Sequence, residues 1–128
     1  SGDDADAPAA SCHAPVFDKA GMMNRLMGDG ELAQALIELF LNDTPLQIEA
    51  LQTDLDAGDA LLIERRIHTI KGSAANVGAE ALRAAALKLE TSAKDGDMAS
   101  VRTCMPELTS QFERVKAAMR KEIAGKRR

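Results

Sequence analysis

Apolar side chains recur at helical spacing in five segments of the chain, and Gly-Asp pairs punctuate them. The clearest segment runs from Asp59 to near Gly78. There Ile63, Ile67, Ile70, Ala74 and Val77 follow alternating steps of four and three residues. That rhythm lays a single stripe along a helix of about 3.6 residues per turn. A longer helix is predicted from about Gly30 to Asp56, with Leu32, Leu36, Leu39, Phe40, Ile48, Leu51 and Leu55 on one broad face. Pro45 lies inside it and removes one ladder hydrogen bond. A kink rather than a break is expected, because the apolar face resumes in phase beyond the proline.

Two further helices follow the same logic. One, from about Ala79 to Lys94, turns Leu82, Ala85, Ala86, Leu89 and Ala93 inward. The last, from Asp97 to about Ile123, buries Val101, Met105, Leu108, Phe112, Val115 and Met119, with Pro106 bending its first half. A short first helix, capped by Asp18, carries Met22, Met23, Leu26 and Met27. The pairs Gly28-Asp29, Gly58-Asp59 and Gly96-Asp97 each supply a helix-ending glycine and a helix-capping aspartate. The segments between them differ, so the pairs are punctuation and not an internal repeat. Four amphipathic helices with short connections pack best as antiparallel neighbours. The expected fold is therefore all-α: an antiparallel up-down four-helix bundle with a short additional N-terminal helix over one end.

Composition sharpens this. The chain has three Phe and no Trp or Tyr, so Leu, Ile, Val, Met and Ala must fill the core. Residues 1–15 are rich in Ala, Asp, Pro and Ser, lack an apolar period, and are expected to be a disordered tail or linker. The opening Ser1-Gly2 has the look of a cloning remnant, which suggests a piece of a longer protein. The bundle is expected over 16–124, with a basic tail at 125–128. Cys12-His13 falls in the N-terminal tail, and two ligands without further Cys or His nearby make a poor metal site. Cys12 and Cys104 imply no disulfide framework, which fits a reducing cytoplasm.

A net charge of −4 argues against a nucleic-acid partner, and the basic residues near the C-terminus suit a solvated last turn that complements the helix dipole. No apolar run approaches the ~20 residues that span a bilayer, so no membrane contact is expected of this domain.

Candidate chemistry concentrates in His68-Thr69-Ile70-Lys71-Gly72-Ser73-Ala74-Ala75-Asn76-Val77-Gly78. His68 follows the inward Ile67 by one residue, so it points roughly 100° away from the core. Its neighbours on the helix surface are Glu64, Arg65, Lys71 and Gly72, with Ala75 a further turn along. Gly72 in a helix interior costs about 1 kcal/mol relative to Ala. It sits where any side chain would crowd the imidazole, and Ser73, Ala74 and Ala75 extend the run of small residues. A second protein could approach this backbone closely. Lys71 offers a positive charge within reach of a phosphoryl group on the ring. An imidazole with an unperturbed pKa of ~6.5 is a competent nucleophile near neutrality. The structural alternative is an ordinary surface histidine with a glycine needed for close helix packing. Histidine, lysine three later and glycine four later on one solvent face favour chemistry over that alternative.

His68-x-x-Lys71-Gly72-Ser73-Ala74-x-x-Val77-Gly78 resembles the signature of bacterial histidine phosphotransfer (HPt) domains. The resemblance extends over about Val16 to Arg120. It takes in Gly28-Asp29, Phe40 with Pro45 soon after, Asp59 before the histidine helix, and Leu89-Glu90 before Gly96-Asp97. It implies a phosphorelay intermediate of two-component signal transduction. The histidine would take a phosphoryl group from a receiver-domain aspartate, on Nε2, and pass it to an aspartate of a response regulator. On that footing His68 is phosphorylated, Lys71 steadies the phosphoryl charge, Gly72 keeps the approach open, and Ser73 adds a hydroxyl hydrogen bond. No cofactor of its own is implied, since the partner receiver brings the Mg²⁺.

A carboxylate accepting from Nδ1–H would fix the tautomer and leave Nε2 free. Glu64, one turn back, and Glu90, on the next helix where the family places a polar partner, are both candidates. Each could equally be a solvated surface acid. Lys94, one turn beyond Glu90, could join the basic surroundings.

The chain lacks a Gly-rich nucleotide loop and strands to build an ATP site, so it is expected to be a carrier loaded by a partner and not a kinase. A monomer is expected, cytoplasmic, either free-standing or the C-terminal module of a hybrid sensor histidine kinase anchored in the inner membrane. The linker-like start favours the hybrid kinase over a chemotaxis-type parent. The competing class is a helical interaction module that docks a receiver-like partner without chemistry.

Overall fold

A computed structural model describes residues 14–126, and Cys12-His13 lies outside them. Every element among the described residues is a helix: α1 (Lys19–Arg25), α2 (Gly30–Ala57), α3 (Ala60–Asn76), α4 (Glu80–Lys94) and α5 (Met98–Lys126). Helices α2 to α5 close a ring in which α2 packs on α3, α3 on α4, α4 on α5, and α5 back on α2, while α1 rests on α2.

The caps follow the residues that predict them. Asp18 accepts from the Gly21 amide, Asp29 from Leu32 and Asp59 from Leu62, each side chain satisfying an otherwise orphaned donor. Asp97 does the same for Ser100. Helix α4 has no side-chain cap at Ala79. Instead the Pro15 carbonyl accepts from the Ala81 amide at 3.0 Å, so Pro15, expected in the free tail, is tied to the bundle. At the other end α5 continues through Gly125, which was expected to open the basic tail.

The inward stripes of α3, α4 and α5 are those the spacing predicts. Ile63, Ile67, Ile70, Ala74, Leu82, Leu89, Val101, Leu108, Val115 and Met119 are buried. Phe40 and Phe112 meet tilted in the centre, with ring centroids 5.6 Å apart, a favoured aromatic geometry. Both long helices run on through their prolines, Pro45 in α2 and Pro106 in α5.

Two expectations need correction. In the first half of α2 the buried positions are Ala33, Ile37, Phe40 and Thr44, while Leu32 and Leu39 are exposed and Leu36 is half-buried. The inward stripe keeps steps of four and three residues but is displaced by one residue from Leu32, Leu36 and Leu39. Met27 belongs to no helix: α1 ends at Arg25, and Met27 takes a left-handed φ of 56° with its side chain in solvent.

The turn between α3 and α4 is strapped by the segment before α1. The Asp18 amide donates to the Gly78 carbonyl at 2.7 Å, and Gly78 has a φ of +74°. A Cβ on Gly78 would lie 2.6 Å from the Asp18 backbone oxygen. The last glycine of the motif is therefore needed for close chain approach and left-handed geometry. Arg25 adds a bond to the Ala75 carbonyl at 3.1 Å, fixing α1 against the end of α3.

Candidate functional site

Three polar side chains are buried in the described bundle: Thr44, Asp54 and Glu90. A buried carboxylate requires partners. Asp54 takes Arg66 at 3.0 Å, and Arg66 also reaches Gln47, which ties α2 to α3 on a different face of α3 from His68. Glu90 is different, because its partners are the motif residues themselves.

Helix α3 holds His68 one residue past fully buried Ile67, so the ring leaves the bundle with 70% of its side chain exposed. Helix α4 runs antiparallel alongside and carries Glu90 to the base of the ring. Glu90 Oε2 lies 2.9 Å from His68 Nδ1, and Glu90 Oε1 accepts from Lys71 Nζ at 2.5 Å. The Glu90 side chain is only 6% exposed, so water competes little for either bond. The Lys71 ammonium, donating to Oε1, holds the Glu90 carboxyl below the usual carboxylate range. Burial pushes the other way, and the His68 bond and the Lys71 and Lys94 charges add to the lowering. An ionised Glu90 can only accept. Nδ1 therefore carries the hydrogen, and in the neutral ring the lone pair is on Nε2, on the side away from Glu90.

The ring stands at the rim of a shallow open depression shared with Glu64, Arg65, Thr69 and Lys94. Of the two candidate glutamates, Glu90 is the one bonded to the ring; Glu64 lines the depression. Lys71 does not stand free towards solvent. It is three-quarters buried and paired with Glu90. Ser73 lies on the other flank of α3, in a groove with Leu36, Leu39 and Asn76, and not in the depression beside His68. Five residues of helix carry it about 140° around the axis, which separates its hydroxyl from the ring. Ala75 is half-buried, and its carbonyl is occupied by Arg25.

Gly72 decides between packing and access. A Cβ built there would meet no atom within 4 Å, and its φ is not in the left-handed region. Nothing inside the molecule asks for a glycine at this position, so close helix packing is ruled out as its reason. What the missing side chain leaves open is the surface one turn from the imidazole.

The burial of Glu90 had a signal in the sequence. It stands four residues after Ala86 and three before Ala93, both buried, and so occupies an apolar position of the α4 period. An acid at such a position needs a partner from the facing helix.

An exposed imidazole with a lone pair at Nε2, a buried carboxylate on Nδ1 and open backbone beside it can act as a nucleophile towards phosphorus. The family comparison agrees: the Hpt domain model matches residues 35–118. The chain belongs to the Hpt domain family. It is thus a phosphorelay intermediate of two-component signalling, in a family that carries phosphoryl groups and interacts with receiver domains.

Two solved structures share the fold. Histidine-containing phosphotransfer protein B from Pseudomonas aeruginosa PAO1 is 25% identical, with a TM-score of 0.78 over 85% of this chain and 95% of that one. The HPT domain of the Hpt sensor hybrid histidine kinase from Shewanella is 17% identical, with a TM-score of 0.74 over 86% and 95%. None of the curated proteins matches the chain. No helix among the described residues is long and apolar enough to cross a membrane. No group of three or more His, Cys, Asp or Glu side chains among them is placed to hold a metal.

Proposed function

We propose that His68 is the residue that carries the phosphoryl group, with Nε2 as the attacking atom. The observation behind this is the Nδ1–Glu90 bond beneath an exposed ring. Attack at phosphorus is in line: the Nε2 lone pair forms the N–P bond while the aspartyl oxygen of the donor receiver departs with its electron pair. The reverse step delivers the phosphoryl to a response-regulator aspartate. Phosphoryl transfer of this kind depends on positioning and on charge stabilisation more than on covalent work by the protein.

Each neighbour has a physical task. Glu90 holds the ring's orientation and tautomer. Lys71 uses one of its three N–H donors on Glu90, and the others remain for the phosphoryl oxygens. Gly72 admits the partner's loops. Arg65 and Lys94 lend positive charge at the rim, beside Glu64. Ser73 is better suited to contact the partner's body than the phosphoryl group, because it faces the α2 groove. The Mg²⁺ such transfers use is supplied by the receiver domain.

On this view the chain is a carrier loaded by its partner and has no ATP site of its own. It works as a monomer in the cytoplasm, without nucleic acid, and its parent is a hybrid sensor histidine kinase. The test is transfer from a phosphorylated receiver domain. Wild type should gain an acid-labile, alkali-stable phosphate, and His68→Gln should gain none while keeping its helical circular dichroism. A His68→Gln chain that is phosphorylated as fast as wild type would overturn the assignment.

A further inference from the structure

We propose that the Glu90 carboxylate keeps the proton on Nδ1 of His68 after phosphorylation as well as before it, so that the ring always leaves phosphorus as neutral imidazole. The proposal rests on His68 being the phosphorylated residue. It is carried by the geometry of one buried carboxylate with two oxygens committed in different directions: Oε2 to Nδ1 at 2.9 Å and Oε1 to the Lys71 ammonium at 2.5 Å.

The bond changes show why this matters. When Nε2 attacks the aspartyl phosphate, the N–P bond forms, the P–O bond breaks, and the aspartate takes the electron pair. No proton moves, and the product ring is a phosphoimidazolium with hydrogen still on Nδ1. In the outgoing step the acceptor carboxylate forms a new P–O bond, and the N–P electron pair returns to Nε2. If Nδ1 has kept its hydrogen, the leaving group is neutral imidazole. If the phosphorylated ring has lost that proton to water, the leaving group is an imidazolate, a far stronger base and a far poorer leaving group.

An imidazolium proton is easily lost near neutral pH. A charged acceptor in hydrogen-bond contact, shielded from water, opposes that loss. A neutral amide at the same position could accept the same bond without the charge. The charged groups around the ring are Glu64, Arg65 and Lys71 on α3, and Glu90 and Lys94 on α4; α2 and α5 contribute none to the depression. Lys71 keeps Glu90 ionised and offsets its repulsion of the phosphoryl oxygens. Glu90 is thus a positioning residue for a proton and not only for a ring.

The experiment uses the full chain, phosphorylated with phosphoramidate, as wild type and as Glu90→Gln. Nitrogen-15 NMR reports whether the phosphorylated ring holds hydrogen on Nδ1. At about pH 8, above the ordinary imidazole range of ~6.5, wild type should retain it and Glu90→Gln should have lost it. Transfer to one receiver, compared between the two chains over the same pH series, should fall in Glu90→Gln by about tenfold per pH unit above the ring's deprotonation relative to wild type. A merely structural Glu90 would leave that ratio independent of pH. Should Glu90→Gln fail to fold, wild type is compared with itself unfolded in urea, where the Nδ1 proton should be lost at lower pH. Phosphate on His68 with the same Nδ1 titration in both chains, or in folded and unfolded wild type, overturns this inference alone. Phosphate absent from His68 overturns it together with the proposal beneath it.

Discussion

Gly72 offers an unusual test, because stability and function should move in opposite directions there. The glycine sits in the interior of α3, and a Cβ would touch nothing within 4 Å. Replacing it by Ala therefore adds no clash and removes the helix penalty of glycine, worth about 1 kcal/mol. For a domain of this size that is a rise in Tm of roughly 3–6 °C. Gly72→Leu should gain nearly as much, since leucine's helix propensity is close to that of alanine. Its side chain, however, stands one turn from His68, where i and i+4 Cβ atoms are about 5–6 Å apart. A partner held off by even ~1 Å loses the in-line geometry, and such a displacement can cost about 100-fold in rate. Thermal unfolding by circular dichroism and single-turnover transfer from a phosphorylated receiver read the two effects separately. Gly72→Leu melting below wild type, or transferring at the wild-type rate, would refute the view that this glycine serves access and not packing.

The other glycine of the motif should behave in reverse: Gly78→Ala forces alanine into left-handed geometry against the Asp18 backbone oxygen. It should lose at least about 1–2 kcal/mol in denaturant unfolding, and an unchanged midpoint would contradict the strap. Ile67→Ala should cost ~2–5 kcal/mol as a buried aliphatic truncation, while His68→Ala should stay within about ±0.5 kcal/mol; the opposite order in urea would mean that the faces of α3 are misassigned. Because Lys71 holds the Glu90 carboxyl below its ordinary value of 4.5, its contribution to stability is complete above that pH and is lost as pH falls through the lower folded value. Wild type should therefore lose stability more steeply than Glu90→Gln below about pH 4.5, and parallel acid limbs would contradict the pairing.

The fold was readable wherever large and small residues of a stripe kept one period. On α3, α4 and α5 every stripe position named from spacing is buried. It was less readable on α2, where leucines at Leu32, Leu39 and Leu46 stand outside while Ala33, Ile37 and Thr44 turn inward. Two stripes one residue apart both keep a helical period in this stretch, and the more apolar one, with its leucines, is the outward one. At the site, the exposure of His68 follows from its place beside Ile67. The choice between Glu64 and Glu90 does not, because it depends on the register of α4 against α3. Nor does the separation of the two motif glycines into one that serves the chain's own turn and one that faces outward. That difference rests on Asp18, sixty residues away in sequence.

One spectrum speaks most directly to the account. Nitrogen-15 and phosphorus-31 NMR of the chain after loading by a phosphorylated receiver identifies the nitrogen bonded to phosphorus. Coupling to Nε2 of His68 is the predicted result. Coupling to Nδ1, or phosphate held by any other residue, would contradict it.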